Sequence, residues 1–331
     1  MRAFEYTSPK EKQQAVGLLG RQWNDAEVLA GGSDLLGLMK DDIVHPKRLV
    51  NVKDMDELRG ISFTPEHGLR IGSLETLIEI SQDAQVKQHY PMLAHAAGDA
   101  ASPQIRNVAT IGGNMCQRPR CWWFRNGFGL LATGPDGKSL VPDGDNRYHA
   151  ILGNEGPAYF VSPSTVAPVL IAYNASIRLF GPNGRRELPL QKFFVVPKTD
   201  GEREHDLRPN EIVTDIVVPA PPAGAKVAHY EVRQKEAFDW PYATASVLLQ
   251  MSGGTVRWAR VVLSHVAPVP WVSNEAAQAL AGKSIFEQTA DAAGQAAVAN
   301  ARSLGRNKHK ITLARVAVKR AILQATQGGR A

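Results

Sequence analysis

An α+β protein in two units is the fold class predicted by this 331-residue sequence, and three observations carry the prediction. Short apolar runs alternate with amphipathic stretches through the first two thirds of the chain. The segment Pro219-Ala220-Pro221-Pro222-Ala223-Gly224 then breaks that pattern, as the stretches between domains do. Beyond it, three strand-like runs are followed by three helical ones, the order expected of a small antiparallel-sheet-plus-helices domain. The expected units are residues 1–222 and 225–331, each long enough to enclose a core.

The elements follow in chain order. Residues 28–30 read as a strand end, followed by Gly31-Gly32-Ser33 and an amphipathic run over 34–40. Ser33 suits the N-cap of that helix, and Asp34 suits its positive end. Further strands are expected at 48–51 and 69–72, and helices at 77–80 and 92–101, the second closed by Ser102-Pro103. From 119 to 147 the pattern dissolves into Gly, Pro, Asp and Asn. So long a connection is either functional or partly disordered. Regular structure is expected again at 158–162, then a helix over 164–173 and strands over 175–180 and 211–218. Past the proline segment, strands are expected at 227–233, 243–250 and 256–266, and helices at 274–281, 287–304 and 312–326. The chain carries no internal repeat.

Composition narrows the function. With 44% hydrophobic residues the chain is not a disordered one. Its net charge of +6 comes from 38 basic and 32 acidic residues, mostly interspersed. The exception is 302–320, with Arg306, Lys308, His309, Lys310, Arg315 and Lys319. It reads as the solvated face of a terminal helix, because the reader element that nucleic-acid binding needs is missing. No run of about 18 apolar residues exists, so no membrane span is expected. The N-terminal stretch lacks an apolar signal core, which makes a cytoplasmic location the expectation, with export beside a signal-bearing partner as the alternative. Two cysteines, Cys116 and Cys121, make no disulfide framework.

The richest stretch is ATIGGNMCQRPRC, residues 109–121. Its Gly112-Gly113-Asn114 reads as a turn where backbone N–H groups can approach an anionic ligand. Neither this loop nor Gly31-Gly32-Ser33 has the G-x-G-x-x-G pattern or a phosphate-loop lysine, so a Rossmann or P-loop nucleotide site has no support. One such loop is an ordinary turn. Two, each after a strand and each with a small polar residue, suggest a cofactor containing a pyrophosphate. No Ser/His/Asp or metal-ligand constellation stands out.

VLAGGSDLLGLMK, SPQIRNVATIGGNMCQRPRC and the stretch 230–240 together resemble the FAD-binding medium subunit of molybdenum hydroxylases, the xanthine dehydrogenase, carbon monoxide dehydrogenase and bacterial aldehyde oxidoreductase family. The resemblance covers nearly the whole chain in order. It implies a two-lobed FAD-binding domain of the vanillyl-alcohol-oxidase/p-cresol-methylhydroxylase-like type, then a small C-terminal α+β domain of the CO dehydrogenase flavoprotein type. It assigns Ala30, Gly31, Gly32, Ser33, Asp34 and Leu35 to one FAD loop, and Thr110, Gly112, Gly113 and Asn114 to the other. Glycines there let N–H donors meet phosphate oxygens, and hydroxyls and the Asn amide add donors. Asp34, an acid near a diphosphate, is expected to cap a helix or to meet a ribityl hydroxyl.

The same resemblance implies a heterotrimer. A large molybdopterin subunit hydroxylates aldehydes, purines or other heterocycles, a small [2Fe–2S] subunit relays electrons, and FAD in this chain passes them to an external acceptor. The chain then needs no catalytic residue of its own. NMCQRPRC is similar to the aldehyde-oxidoreductase subgroup, whose flavin subunit carries an added [4Fe–4S] cluster. A cubane cluster takes four ligands, and the long loop here supplies no further cysteine. Cys116 and Cys121 are therefore expected to be remnant ligands kept as thiols, with a disulfide or a zinc site shared with a partner as the alternatives, and with His149 and the loop's Asp residues as uncommon substitute ligands. Two departures bear on FAD itself: Thr165 stands where relatives have an Asp, and Glu231 where they have a lysine, with Arg233 and Lys235 close by. Trp122, Trp123 and Phe124 are expected to pack the long loop, and His265 to be a strand-end histidine. The competing reading is a flavin-depleted subunit that scaffolds the same complex.

Overall fold

Three sheets carry the chain in the computed structural model, which describes residues 1–234 and 238–327, so Lys235 lies outside the described residues. Strands β1 (Glu5–Thr7), β2 (Ala26–Leu29) and β3 (Arg48–Asn51) form a parallel sheet in the order β1-β3-β2. Parallel neighbours need a crossover, supplied by helices Lys12–Leu18 and Leu35–Lys40. The central strand β3 is buried at Leu49 and Val50. The first glycine loop leaves the end of β2.

The second sheet is antiparallel in the order β4-β5-β8-β6-β7, built from β4 (Ile61–Thr64), β5 (Gly68–Gly72), β6 (Ser176–Gly181), β7 (Gly184–Pro189) and β8 (Ile212–Val218). Leu69, Ile71, Ile177, Leu179, Ile216 and Val218 bury against helices Pro91–Asp99 and Val166–Ala172. Tyr90, fully buried, donates its hydroxyl to the Val218 carbonyl at 3.1 Å.

The third sheet, β12-β11-β10-β9, is antiparallel and consists of β9 (Lys226–Val232), β10 (Ala243–Ser252), β11 (Thr255–Ser264) and β12 (Trp271–Val272). Helices Asn274–Leu280, Glu287–Ala297 and His309–Thr326 cover one face. Their contact residues are small: Ala290, Ala293, Ala314, Ala317 and Ala321 are buried, and a Cβ on Gly294 would lie 2.5 Å from the Arg315 carbonyl oxygen. Alanine and glycine let the helices lie close together and on the sheet.

Five points differ from expectation. Edge strands β4 and β7 go unread in the sequence, because an edge strand such as GRRELP shows no buried alternation. The stretch 158–162 belongs to no named strand, and the penultimate helix stops at Ala297. The loop 119–147 is ordered: it holds a helical turn, Trp122–Arg125, and buries Phe124, Leu130 and Leu131 against Leu29, Leu38 and Met39. Lys310 is not on a solvated face. It is 1% exposed, and its ammonium donates to the carbonyls of Tyr148 (2.8 Å), His149 (3.1 Å) and His265 (2.7 Å). The helix face it occupies is turned toward loop carbonyls that need donors.

Candidate functional site

The two glycine loops interlock. A Cβ on Gly31 would stand 1.8 Å from the Val108 carbonyl oxygen, so only glycine lets the first loop touch the approach to the second. Gly32 takes a φ of +73°, the left-handed region that glycine enters freely. Gly112 packs on Ser73, whose Cβ and carbonyl oxygen would be 2.9 and 3.0 Å from an added Cβ. Gly112-Gly113-Asn114 is not a turn but part of a short helix, Ile111–Met115, capped by Thr110, whose Oγ1 accepts from Gly113 N at 3.2 Å. The other expected cap fails. Asp34 is the N-cap of Leu35–Lys40, and no side-chain cap forms there.

The loops divide the donors unequally. In the second, Ile111 N–H donates to Glu75 O (2.8 Å), Gly112 N–H to Ser73 O (2.9 Å) and Asn114 N–H to Thr110 O (2.8 Å). In the first, no described residue accepts from the N–H of Gly31, Gly32, Ser33, Asp34 or Leu35. Five adjacent donors without acceptors among the described residues, lining one cleft, suit an anion. The second loop adds side chains instead. Ser164 Oγ accepts from Ala167 N (2.9 Å), so its one proton goes to Asn114 Oδ1 (2.7 Å) and the Asn114 amide nitrogen keeps its donors.

Asp34 has a different use. Its carboxylate accepts from the Arg118 backbone N–H (2.7 Å) and pairs with Arg120 (2.7 Å) and Arg125 (2.8 Å). It straps the segment between the two cysteines onto the first loop. Charge-assisted bonds of this kind are the strong ones.

Two clefts meet at the loops. The first, about 1150 Å³, runs between the first two sheets and is lined by Ala30, Gly31, Gly32, Ser33, Asp34 and Leu35, together with Thr110, Gly112 and Gly113. Its walls are mostly aliphatic. Its far end is polar: Arg203 pairs with Glu27 (2.7 Å) and lies over Trp23, 4.2 Å from the ring centroid. Burial pushes the Glu27 carboxyl up to about 7 and His205 down to about 3. The second cleft, about 1090 Å³, opens between the loops and the β9–β10 connection and is lined by Asn114, Thr165, Arg233 and Trp240. Ser33, Asp34, Gly113 and Gln117 line both. The structure thus brings all eleven expected residues onto one continuous surface.

Glu231 does not leave a bare negative charge in the cleft. It pairs with Arg233 (3.0 Å) and with His229 Nε2 (3.2 Å), while His229 Nδ1 meets Ser246 Oγ at 2.8 Å. The side chains of these four residues are all buried. The neighbouring His229 and Arg233 hold the Glu231 carboxyl down to about 2 against its burial. The cation facing the second cleft is therefore Arg233, held from behind by Glu231. Sequence reasoning named both residues but missed their pairing, and it missed Arg203 and His205, which are remote in sequence from the glycine motifs, together with Trp23 and Glu27, which stand just before the first motif but gain their role only through Arg203.

Both cysteines are free thiols, which removes the disulfide alternative within the chain. They sit apart. Cys116 lines the first cleft, where burial pushes its thiol up to about 12, and Cys121 packs on the Phe124 cluster with Sγ 3.1 Å from His149 Nε2. Among the described residues no group of three or more His, Cys, Asp or Glu is placed to hold a metal. Trp122 stacks edge-on to Tyr148 (5.5 Å) and Trp123 to Phe128 (5.5 Å), inside the long loop. His265 is buried, with Nε2 on the Pro163 carbonyl at 3.2 Å.

Comparison with known proteins gives two family models. The FAD-binding domain of molybdopterin dehydrogenase matches residues 2–221, and the C-terminal domain of CO dehydrogenase flavoprotein matches residues 228–325. The carbon monoxide dehydrogenase medium chain of Hydrogenophaga pseudoflava is 32% identical over 298 residues, covering 89% of this chain and 86% of its own. The aldehyde oxidoreductase FAD-binding subunit of Escherichia coli (strain K12) is 30% identical over 322 residues, 95% of this chain and 96% of its own. A solved structure of carbon monoxide dehydrogenase from Hydrogenophaga pseudoflava, lacking the Mo-pyranopterin moiety, superposes with a TM-score of 0.76 at 31% identity, covering 98% of this chain and 97% of that one.

Proposed function

Because the chain belongs to the FAD-binding medium subunits of the molybdenum hydroxylase family, we propose that it holds FAD across its two clefts as an electron carrier within a multi-subunit oxidoreductase. The observation that carries this reading is the interlocked pair of glycine loops with five adjacent N–H groups lacking acceptors among the described residues. They fit a pyrophosphate. The aliphatic first cleft, closed by Trp23 and Arg203, suits the adenosine, and the second cleft suits the isoalloxazine. When bound, FAD supplies a group that takes electrons singly and returns them in pairs.

This chain's own work is positioning. Gly31 through Leu35 direct N–H donors at the phosphates, and the Asn114 amide adds a donor beside them. Arg233 fixes a positive charge at the redox end, where added negative charge is stabilised. Asp34, its oxygens taken by three arginines, keeps the loop in place rather than capping a helix. Electrons arrive from a [2Fe–2S] subunit served by a molybdopterin subunit, and leave to an external acceptor. The units 1–222 and 225–331 supply the cofactor cradle and the wall of its redox end. No helix among the described residues is long and apolar enough to cross a membrane; we place the protein in the cytoplasm, or outside it if exported with a partner.

No [4Fe–4S] cluster is assigned to Cys116 and Cys121, whose thiols pack into separate apolar clusters. An absorbance band near 450 nm, with FAD released by heat at about one per chain, supports the reading, and absence of stoichiometric flavin refutes it. Four irons bound to this chain would overturn the cluster assignment. The scaffold reading keeps Thr165, Glu231 and the missing cysteines as its support, with Arg233 beside Glu231 the cation that faces the cleft.

A further inference from the structure

A third cleft, about 770 Å³, lies behind the second and shares with it Arg120, Pro163, Asp239, Trp240 and Pro241. Arg120 lies over the Trp240 ring, 4.7 Å from its centroid, and this pair forms the partition. The far side is aromatic. Trp122, Tyr148, Phe160 and Tyr242 line it, Trp122 and Tyr148 meeting edge to face and Tyr148 and Tyr242 tilted, each at 5.5 Å.

The groups that could carry charge there are committed elsewhere. Lys310 spends its three donors on three carbonyls, Arg120 pairs with Asp34, and Arg147 on the rim pairs with Asp145. Asp239 accepts from the Trp240 backbone N–H at 2.8 Å. His265 Nε2 donates to the Pro163 carbonyl, and burial holds both His265 and His149 down to about 4, neutral at physiological pH. The walls are also kept stiff: Asn146 donates to Leu304 O (2.8 Å) and Asn307 to Ala150 O (3.0 Å), tying the long loop to the last helices. A slot with edge-on and tilted aromatic walls, whose one charge without a cation partner among the described residues is the exposed Asp239 carboxylate at the partition, favours a flat, uncharged ring over an anion. A dinucleotide would ask for phosphate donors that this cleft does not have.

We propose that this cleft binds a planar, uncharged aromatic acceptor of the quinone class, one wall away from the redox end of the FAD cleft. The inference rests on the FAD reading for its function but not for its binding. Reduction of a quinone to hydroquinone takes two electrons and two protons, the ratio in which FADH2 returns to FAD.

Duroquinone is the probe, because its four methyl groups leave no ring position for the Cys121 thiol to attack. Calorimetric titration of the full-length, flavin-loaded protein is expected to show saturable one-to-one binding. Trp122→Ala and Tyr242→Ala, which line this cleft and not the FAD clefts, are expected to weaken it at least tenfold while flavin content stays unchanged. Trp258→Ala, at an exposed site on another strand, should bind as the unaltered protein does. No saturable binding, equal binding in both cleft variants, or competition by NAD⁺ overturns the proposal. Duroquinone binding by a chain that holds no flavin would instead refute the FAD reading and leave this site standing.

Discussion

Gly31→Ala tests the interlocked loops most directly. The new Cβ would lie 1.8 Å from Val108 O and 2.7 Å from Val108 C, where real Cβ contacts essentially never fall below 3.0 Å. The loops must therefore part by about 1.2 Å, and the obstacle is backbone, which no rotamer change relieves. Overpacking of this kind costs about 1–3 kcal/mol. Placed wholly on the bound geometry, that is an FAD affinity loss of roughly 5- to 150-fold. Gly37→Ala is the control. It lies six residues on, inside the helix Leu35–Lys40, with nothing within 4 Å of its added Cβ. It should leave FAD affinity unchanged and add about 0.5–1 kcal/mol of stability. Both are read by fluorescence titration of FAD into apoprotein and by urea unfolding. A Gly31→Ala protein that retains stoichiometric FAD at wild-type affinity would refute the account of why two glycine loops occur together.

Three further outcomes are expected. Glu231→Gln removes the nearer of the two carboxylates beside Arg233, leaving Asp99 at 3.7 Å, and should cost about 2 kcal/mol in urea unfolding and weaken FAD binding severalfold; unchanged values in both assays would show that Arg233 needs no support from Glu231. Lys310→Met removes the donor for three carbonyls and should cost about 3 kcal/mol or more, and a change below about 1 kcal/mol would mean that water replaces the ammonium. His205 is pushed down to about 3 by burial, so its neutral form stabilises the fold at neutral pH, and that contribution is lost as pH falls from 6.5 toward 3. His205→Gln should therefore gain about 1.4 kcal/mol relative to the unaltered protein per pH unit between 6.5 and 4.5. Glu27 and Glu204, whose raised carboxyls oppose this trend, cancel in the comparison; parallel stability curves would exclude the histidine as the source.

Local pattern made the glycine loops, the proline segment and most central elements legible. Residues 48–51 were readable as a strand because β3 is the central strand and carries a buried Leu49-Val50 pair at its middle. Strand β7, charged and at an edge, offers no such pair. The site was legible as motifs but not as contacts. Asp34 meets Arg118 and Arg125 at separations of 84 and 91 residues, and Arg203 meets Glu27 at 176. Such pairs depend on how lobes fold over each other, and periodicity carries nothing about that. The same limit misplaced Lys310: its helix is amphipathic in the ordinary way, and only the neighbouring loop carbonyls make one lysine an inward one.

The proline segment suggests a convenient place to divide the gene, yet the polar ties of the long loop make the two halves poor candidates for separate expression. Asn146 and Asn154 reach forward to Leu304 and Arg302 carbonyls, while Asn307 and Lys310 reach back to Tyr148, His149 and Ala150. A first half made alone would lose the side-chain donors to the Tyr148 and His149 carbonyls and one of the two to Ala150, and two of its buried asparagines would lose acceptors. Cutting after Val218 would also remove the chain that follows β8, where the Tyr90 hydroxyl sits 3.2 Å from the Pro219 carbonyl. The molecule should accordingly melt in a single calorimetric transition, and domain exchange between related subunits should succeed only when the loop and the last helix travel together.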